Sequence, residues 1–123
     1  MSKIMPKRTL FTSVRFATQG LWYALKSQRN LRIHLGAGLA ALALAGWLRV
    51  GATEWLIVCL TVTLVLMTEL LNTAVEVLVD CISREHRQEL MRIKDVAAGA
   101  VLLSCVGAII VGCVVFLPRL MHR

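Results

Sequence analysis

Three apolar runs, at about 31–48, 55–80 and 96–117, dominate the chain. Each is close to the ~20 residues that a helix needs to cross the hydrocarbon core of a bilayer. The first is the tightest fit, since about 18 residues at about 1.5 Å each only just match a core of about 30 Å. Hydrophobic residues make up 58% of the 123 positions, more than the roughly half of an average soluble domain. Lipid is therefore the natural solvent for most of this sequence. The formal charge of +7 fits the same picture, pointing to an acidic membrane surface rather than to nucleic acid, whose binding modules carry their charge on soluble scaffolds.

The charge is unevenly distributed. No acidic residue precedes Glu54, whereas Lys3, Lys7, Arg8, Arg15, Lys26, Arg29 and Arg32 crowd the first part of the chain. Within that arm Leu10, Phe11, Val14, Leu21, Trp22 and Leu25 recur at helical spacing, which predicts an amphipathic surface helix over about 6–28, with Pro6 suited to its start. Arg84, Arg87, Arg92 and Lys94 form a second basic group between the second and third runs, against only Arg49, Arg119 and Arg123 on the opposite side. The excess of positive charge predicts a cytoplasmic N-terminus and an external C-terminus. The expected fold is an all-α integral membrane protein of one domain over 1–123, with three transmembrane helices and the surface helix. Cys59, Cys81, Cys105 and Cys113 are scattered without a CxxC pair and suggest neither a zinc site nor a disulfide framework.

Small residues (Gly36, Gly38, Ala40, Ala41, Ala43, Ala45, Gly46) fill the first run, as where helix backbones approach closely in a membrane bundle. His34 and the glycines of the third run read as packing positions, and Trp22, Trp47 and Trp55 as interfacial anchors. The second run is different. It keeps its leucines and valines through residues 68–80 while introducing Glu69, Asn72, Thr73, Glu76 and Asp80. At about 100° per residue, Glu69, Glu76 and Asp80 fall within about 40° of one another and Asn72 about 60° to one side. Counted from Trp55, Glu69 lies about 21 Å along the helix and Glu76 about 31 Å, so the polar face leads from lipid depth to the cytoplasmic surface. A carboxylate inside a membrane costs at least a few kcal/mol, which makes Glu69 a functional candidate.

Phosphoryl transfer to a lipid alcohol needs a base at hydroxyl depth, a carboxylate for magnesium and cations for the charge of the transferring group. Glu69 has the depth for the base, Glu76 lies about 10 Å nearer the cytoplasm, and Lys94 stands at the mouth of the third helix. The sequence has no glycine-rich phosphate loop. Two other classes use some of the same residues: a proton-relay carrier or channel component built on Glu69, and a non-catalytic membrane partner. The cluster of Glu76, Glu85, Lys94 and Asp95 favours a bound nucleotide over a proton relay, which does not require it.

The run Glu69-Leu70-Leu71-Asn72-Thr73-Ala74-Val75-Glu76, then Asp80, then Lys94-Asp95-Val96-Ala97-Ala98-Gly99, resembles the prokaryotic diacylglycerol kinase and undecaprenol kinase family. The likeness includes Arg29-Asn30-Leu31-Arg32-Ile33-His34 and Thr53-Glu54-Trp55 and covers about 15–117. The resemblance implies a homotrimer with active sites shared between subunits, in the inner (plasma) membrane of a prokaryote. It also implies ATP with Mg2+ and a membrane lipid alcohol as the other substrate. By the same resemblance Glu69 matches the catalytic base and Glu76 a metal ligand. Asn72, Glu76, Glu85, Lys94 and Asp95 match nucleotide-contacting positions, and Arg32, Trp47, Glu69 and Ala98 positions near the lipid.

Two places depart from the family pattern. His86 and Arg87 stand in the ATP-contacting loop where the family usually carries Tyr-His. Gln28 occupies a metal- and ATP-binding position where a glutamate is common, and an amide binds magnesium more weakly than a carboxylate. The Arg-Asn-Leu-Arg-Ile-His and Thr-Glu-Trp segments look closer to the polyprenol-kinase branch, so undecaprenol is the first expected substrate and diacylglycerol the alternative.

Overall fold

The computed structural model describes residues 9–83, 85 and 87–122. Pro6 and the basic residues Lys3, Lys7 and Arg8 lie outside them, as do Arg84, His86 and Arg123. The described chain is all helical: α1 (Leu10–Ser27), α2 (Arg29–Trp47), α3 (Ala52–Ile82) and α4 (Gln88–Met121). Two of these, α3 and α4, are long and apolar enough to cross a membrane. The helices extend beyond the apolar runs. Much of the polar stretch between the second and third apolar runs is helical, with α3 continuing to Ile82 and α4 beginning at Gln88. Polar residues remain compatible with a helix once it leaves the apolar layer, because their side chains reach solvent without disturbing the backbone ladder.

Thr9 starts α1 by accepting the Thr12 N–H at 3.3 Å, a side-chain cap for one of the otherwise unpaired donors of the first turn. Only Ala24 of α1 is buried, and Leu10, Phe11, Leu21 and Trp22 face outward. Gln28 separates α1 from α2 in extended conformation, with φ −113° and ψ 110°. Arg32 ties the joint from the other side, donating from Nη1 to the carbonyls of Leu25 at 2.7 Å and Lys26 at 2.9 Å. The last carbonyls of α1 thus receive a cation, the partner that a helix C-terminus favours.

The α2–α3 turn is a Schellman motif. Val50 N–H bonds the Ala45 carbonyl and Arg49 N–H bonds that of Gly46, both at 3.2 Å. Arg49 takes the left-handed position with φ 54°, where glycine is the usual residue. The hydrophobic contact of the motif is present, since Val50 and Ala45 belong to a buried cluster with Leu48, Val58 and Val115.

Helix α3 packs most extensively on α4 and next on α2. Three polar rungs show that α3 and α4 run antiparallel and in step: Glu54 with Arg119, Thr68 with Ser104, and Asp80 with Lys94. At one end the Arg119 guanidinium forks onto Glu54, with Nη2–Oε1 at 2.5 Å and Nε–Oε2 at 3.1 Å. Near the middle the Thr68 and Ser104 hydroxyls share a 2.9 Å bond. Helix α2 also runs antiparallel to α3: Gly46 lies against Trp55, Gly38 against Val62, and His34 against Glu69. Close approach is sharpest at Gly38, where a Cβ would sit 2.6 Å from Val62 Cγ1. Gly38 thus does the work expected of the small residues of α2, whereas at Gly36 an added Cβ would meet nothing within 4 Å.

Candidate active site

The polar side chains of α3 form a track whose partners change along its length. Glu69 is 2% exposed, and its Oε2 lies 3.6 Å from Nε2 of His34 on α2. One turn on, Asn72 is also buried, and its Nδ2 donates to Glu76 Oε1 at 3.5 Å. Beyond these, exposed Asp80 accepts from Lys94 Nζ of α4 at 2.7 Å. From Glu69 to Asp80 the track covers about 17 Å of helix. Burial decreases along it, from Glu69 in the helix packing to Asp80 in the open.

The buried Oδ1 of Asn72 has no hydrogen-bond partner among the described residues. Turning the amide over would set that oxygen against the Glu76 carboxylate, so the arrangement with Nδ2 toward Glu76 is the favourable one. A buried acceptor without a donor marks a place for a ligand group or cation. With Nδ2 toward Glu76, Asn72 supports that carboxylate, and the Glu76 oxygens suit a magnesium ion held by few protein ligands and by phosphate oxygens. No cluster of three or more His, Cys, Asp or Glu side chains occurs among the described residues, and a cation completed by phosphates needs none.

The other expected site residues are more dispersed. Gln28 sits at the α1–α2 joint and makes no side-chain capping bond. Arg32 is engaged with the end of α1. Trp47 ends α2 and is exposed, and Ala98 and Asp95 lie exposed on α4. Glu85 pairs with Arg87 at 3.7 Å, both exposed in the α3–α4 connection, and His86 lies outside the described residues. Between α2, α3 and α4 opens an apolar cleft of about 250 Å³, with His34 on its wall beside Gly38, Val62 and Val65.

His34 is the residue that sequence reasoning assigned elsewhere. Its neighbours are small and apolar, so it read as a packing position; the structure sets it against the most deeply buried carboxylate. The available signal was the rule applied to Glu69, that an ionisable side chain within an apolar helix needs a named partner. The Arg119–Glu54 clamp was similarly hidden, because 65 positions separate its members.

An all-helical chain with two membrane-length helices, a buried carboxylate and a polar track to one end defines a class of small helical membrane protein. Its sequence places it more narrowly. Residues 15–116 match the family model described as prokaryotic diacylglycerol kinase, and the chain belongs to that family. It is 44% identical over 113 residues to a diacylglycerol kinase of Synechocystis, a match covering 91% of this chain and 65% of the relative, so the chain spans slightly under two thirds of that protein. It is 36% identical to the undecaprenol kinase of Bacillus subtilis, over 89% of both chains. It is 33% identical to the diacylglycerol kinase of Escherichia coli K12, over 80% of this chain and 81% of the relative.

Proposed function

We propose that this chain is a membrane lipid kinase that transfers the γ-phosphate of ATP to the hydroxyl of a lipid alcohol. The observation that carries the reading is Glu69: a carboxylate 2% exposed among apolar helices, at the inner end of a polar track leading to Lys94. Such a group is expensive to keep unless it reacts or binds, and a general base for a hydroxyl held at lipid depth has this placement. Membership of the prokaryotic diacylglycerol kinase family supports the same chemistry.

In this reading Glu69 accepts the hydroxyl proton as the lipid oxygen attacks the γ-phosphorus. The new P–O bond forms while the bond to the bridging β–γ oxygen breaks, and ADP departs. Lys94 turns from Asp80 toward the phosphates, placing its charge where negative charge spreads in the transition state. Glu76 would hold magnesium, which when bound neutralises phosphate charge, and Asn72 steadies the Glu76 carboxylate. Gln28, Glu85, His86, Arg87 and Asp95 belong to the cytoplasmic nucleotide side, and Arg32, Trp47 and Ala98 to the lipid side. Helix α2 serves as a third crossing, α1 lies in the interface, and three copies assemble with the N-terminus cytoplasmic. The outward-facing apolar side chains of α1 and α4 favour such surroundings.

Undecaprenol is the first substrate of this proposal, on the strength of the Arg29–His34 and Thr53–Trp55 segments. Diacylglycerol is the second reading, favoured by the 44% identity to the Synechocystis diacylglycerol kinase. The test is transfer from labelled ATP in mixed micelles containing either lipid, for the protein and its Glu69→Gln variant. Transfer to one lipid, abolished in the variant, is the expected result. No transfer to either in excess magnesium would overturn the proposal.

A further inference from the structure

We infer that His34 is a positioning residue for Glu69, donating from Nε2 to carboxylate Oε2 so that Oε1 is the atom presented to the lipid hydroxyl; this rests on the assignment of Glu69 as the base. Three independent features of the structure lead there.

The first is the isolation of the carboxylate. Glu69 is 2% exposed, and among the described residues the imidazole of His34 is the only side chain in ion-pair range of it. Thr73 Oγ1 donates to the Glu69 backbone carbonyl at 3.0 Å and so does not serve the carboxylate. The Asn72 amide N–H points onward to Glu76. Without His34, a buried carboxylate would face apolar helix surfaces alone, a costly arrangement that its side chain would escape by changing rotamer.

The second is the geometry. Nε2 and Oε2 are 3.6 Å apart, about half an ångström beyond the usual hydrogen-bond range. Contacts of this kind commonly tighten only when substrate is bound, so the resting distance suits a pair that closes on the reactive complex. An imidazole has one N–H and one lone pair when neutral. With Nε2–H aimed at Oε2, the ring fixes which carboxylate oxygen is engaged and leaves the second free for the substrate proton.

The third is the backbone beneath the ring. Gly38, one helical turn beyond His34, brings α2 so close to α3 that an added Cβ would stand 2.6 Å from Val62 Cγ1. The spacing of the two helices is therefore set by contact next to the His34–Glu69 pair, and His34 is held in register with Glu69 by backbone packing. The side chain of His34 is 23% exposed, on the wall of the apolar cleft where α2, α3 and α4 meet. It stands at the edge of the space that an apolar substrate chain would enter.

The experiment uses the full chain in lipid micelles and measures transfer rates at saturating lipid for wild type, His34→Ala and His34→Gln. Misplacing a catalytic group by about 1 Å can cost about 10²-fold. His34→Ala should therefore lose about that much kcat while KM for ATP stays within about twofold, because the nucleotide side of the track is untouched. His34→Gln, which returns an N–H donor, should recover at least about tenfold of the loss. In the wild-type protein, nitrogen-15 spectra of the His34 ring should show the proton on Nε2. A His34→Ala kcat within about twofold of wild type, or a ring with Nε2 unprotonated, overturns the inference. Should His34→Ala fail to fold, the wild-type spectrum and the His34→Gln rate decide. Transfer that survives Glu69→Gln unchanged overturns the base assignment itself, whereas transfer lost in Glu69→Gln but intact in His34→Ala overturns the role of His34 alone.

Discussion

Replacing Gly38 by alanine tests whether close packing of α2 on α3 governs the geometry of the buried carboxylate. The new Cβ would lie 2.6 Å from Val62 Cγ1, with Val62 Cγ2 at 3.6 Å and Cβ at 3.7 Å. Ordinary contact begins near 3.4 Å, so one partner must move by nearly an ångström. Val62 cannot simply swing aside, because a β-branched side chain on a helix has one strongly preferred χ1 rotamer. The helices must part, at about 1–3 kcal/mol for this kind of overpacking. Alanine opposes that loss by about 1 kcal/mol of improved helix propensity, so the single variant alone is a poor measure. A double-mutant cycle with Val62→Ala removes the ambiguity, since the propensity gain appears in both backgrounds and cancels. Unfolding of the four proteins by a denaturing detergent in mixed micelles should give a coupling of about 1–3 kcal/mol, with the clash relieved in the double variant. Phosphate transfer should follow, falling in Gly38→Ala as His34 is drawn from Glu69 and recovering with Val62→Ala. A coupling below about 0.5 kcal/mol would refute the reasoning.

Much of this architecture was legible in the sequence because bilayer thickness and helical periodicity act on side chains one run at a time. The polar face of α3 emerged from the spacing of Glu69, Asn72, Glu76 and Asp80 alone, since residues on one helix keep their angular relation in any fold. Partners across helices were less accessible. His34 and Glu69, Asp80 and Lys94, and Glu54 and Arg119 meet only because the helices run antiparallel at particular offsets, and no local pattern specifies an offset. The small residues of α2 announced a close approach without saying to what, and the structure supplies Val62 at Gly38. The extent of α3 and α4 was likewise underestimated, because apolar length measures the lipid layer and a helix continues beyond it wherever its backbone ladder can.

Two further substitutions act at the turns that orient the helices. Arg49→Gly should stabilise the protein by about 1 kcal/mol in the same detergent titration, since a side chain in the left-handed region costs about that much and glycine avoids it. Unchanged stability would mean that Arg49 recovers the cost through another interaction. Gln28→Glu has two separable consequences. Gln28 is at once the C-cap of α1 and the N-cap of α2, so the two helix ends act on a carboxylate there in opposite senses and largely cancel. Stability measured without ATP should therefore change by less than about 0.5 kcal/mol. If position 28 also reaches the cation, the magnesium needed for half-maximal transfer should fall by about three- to tenfold, the range expected when about 1 kcal/mol is added to binding. An unchanged magnesium requirement would confine position 28 to the joint between α1 and α2. The metal would then depend on Glu76 and the phosphates, and the glutamine would be no handicap to catalysis.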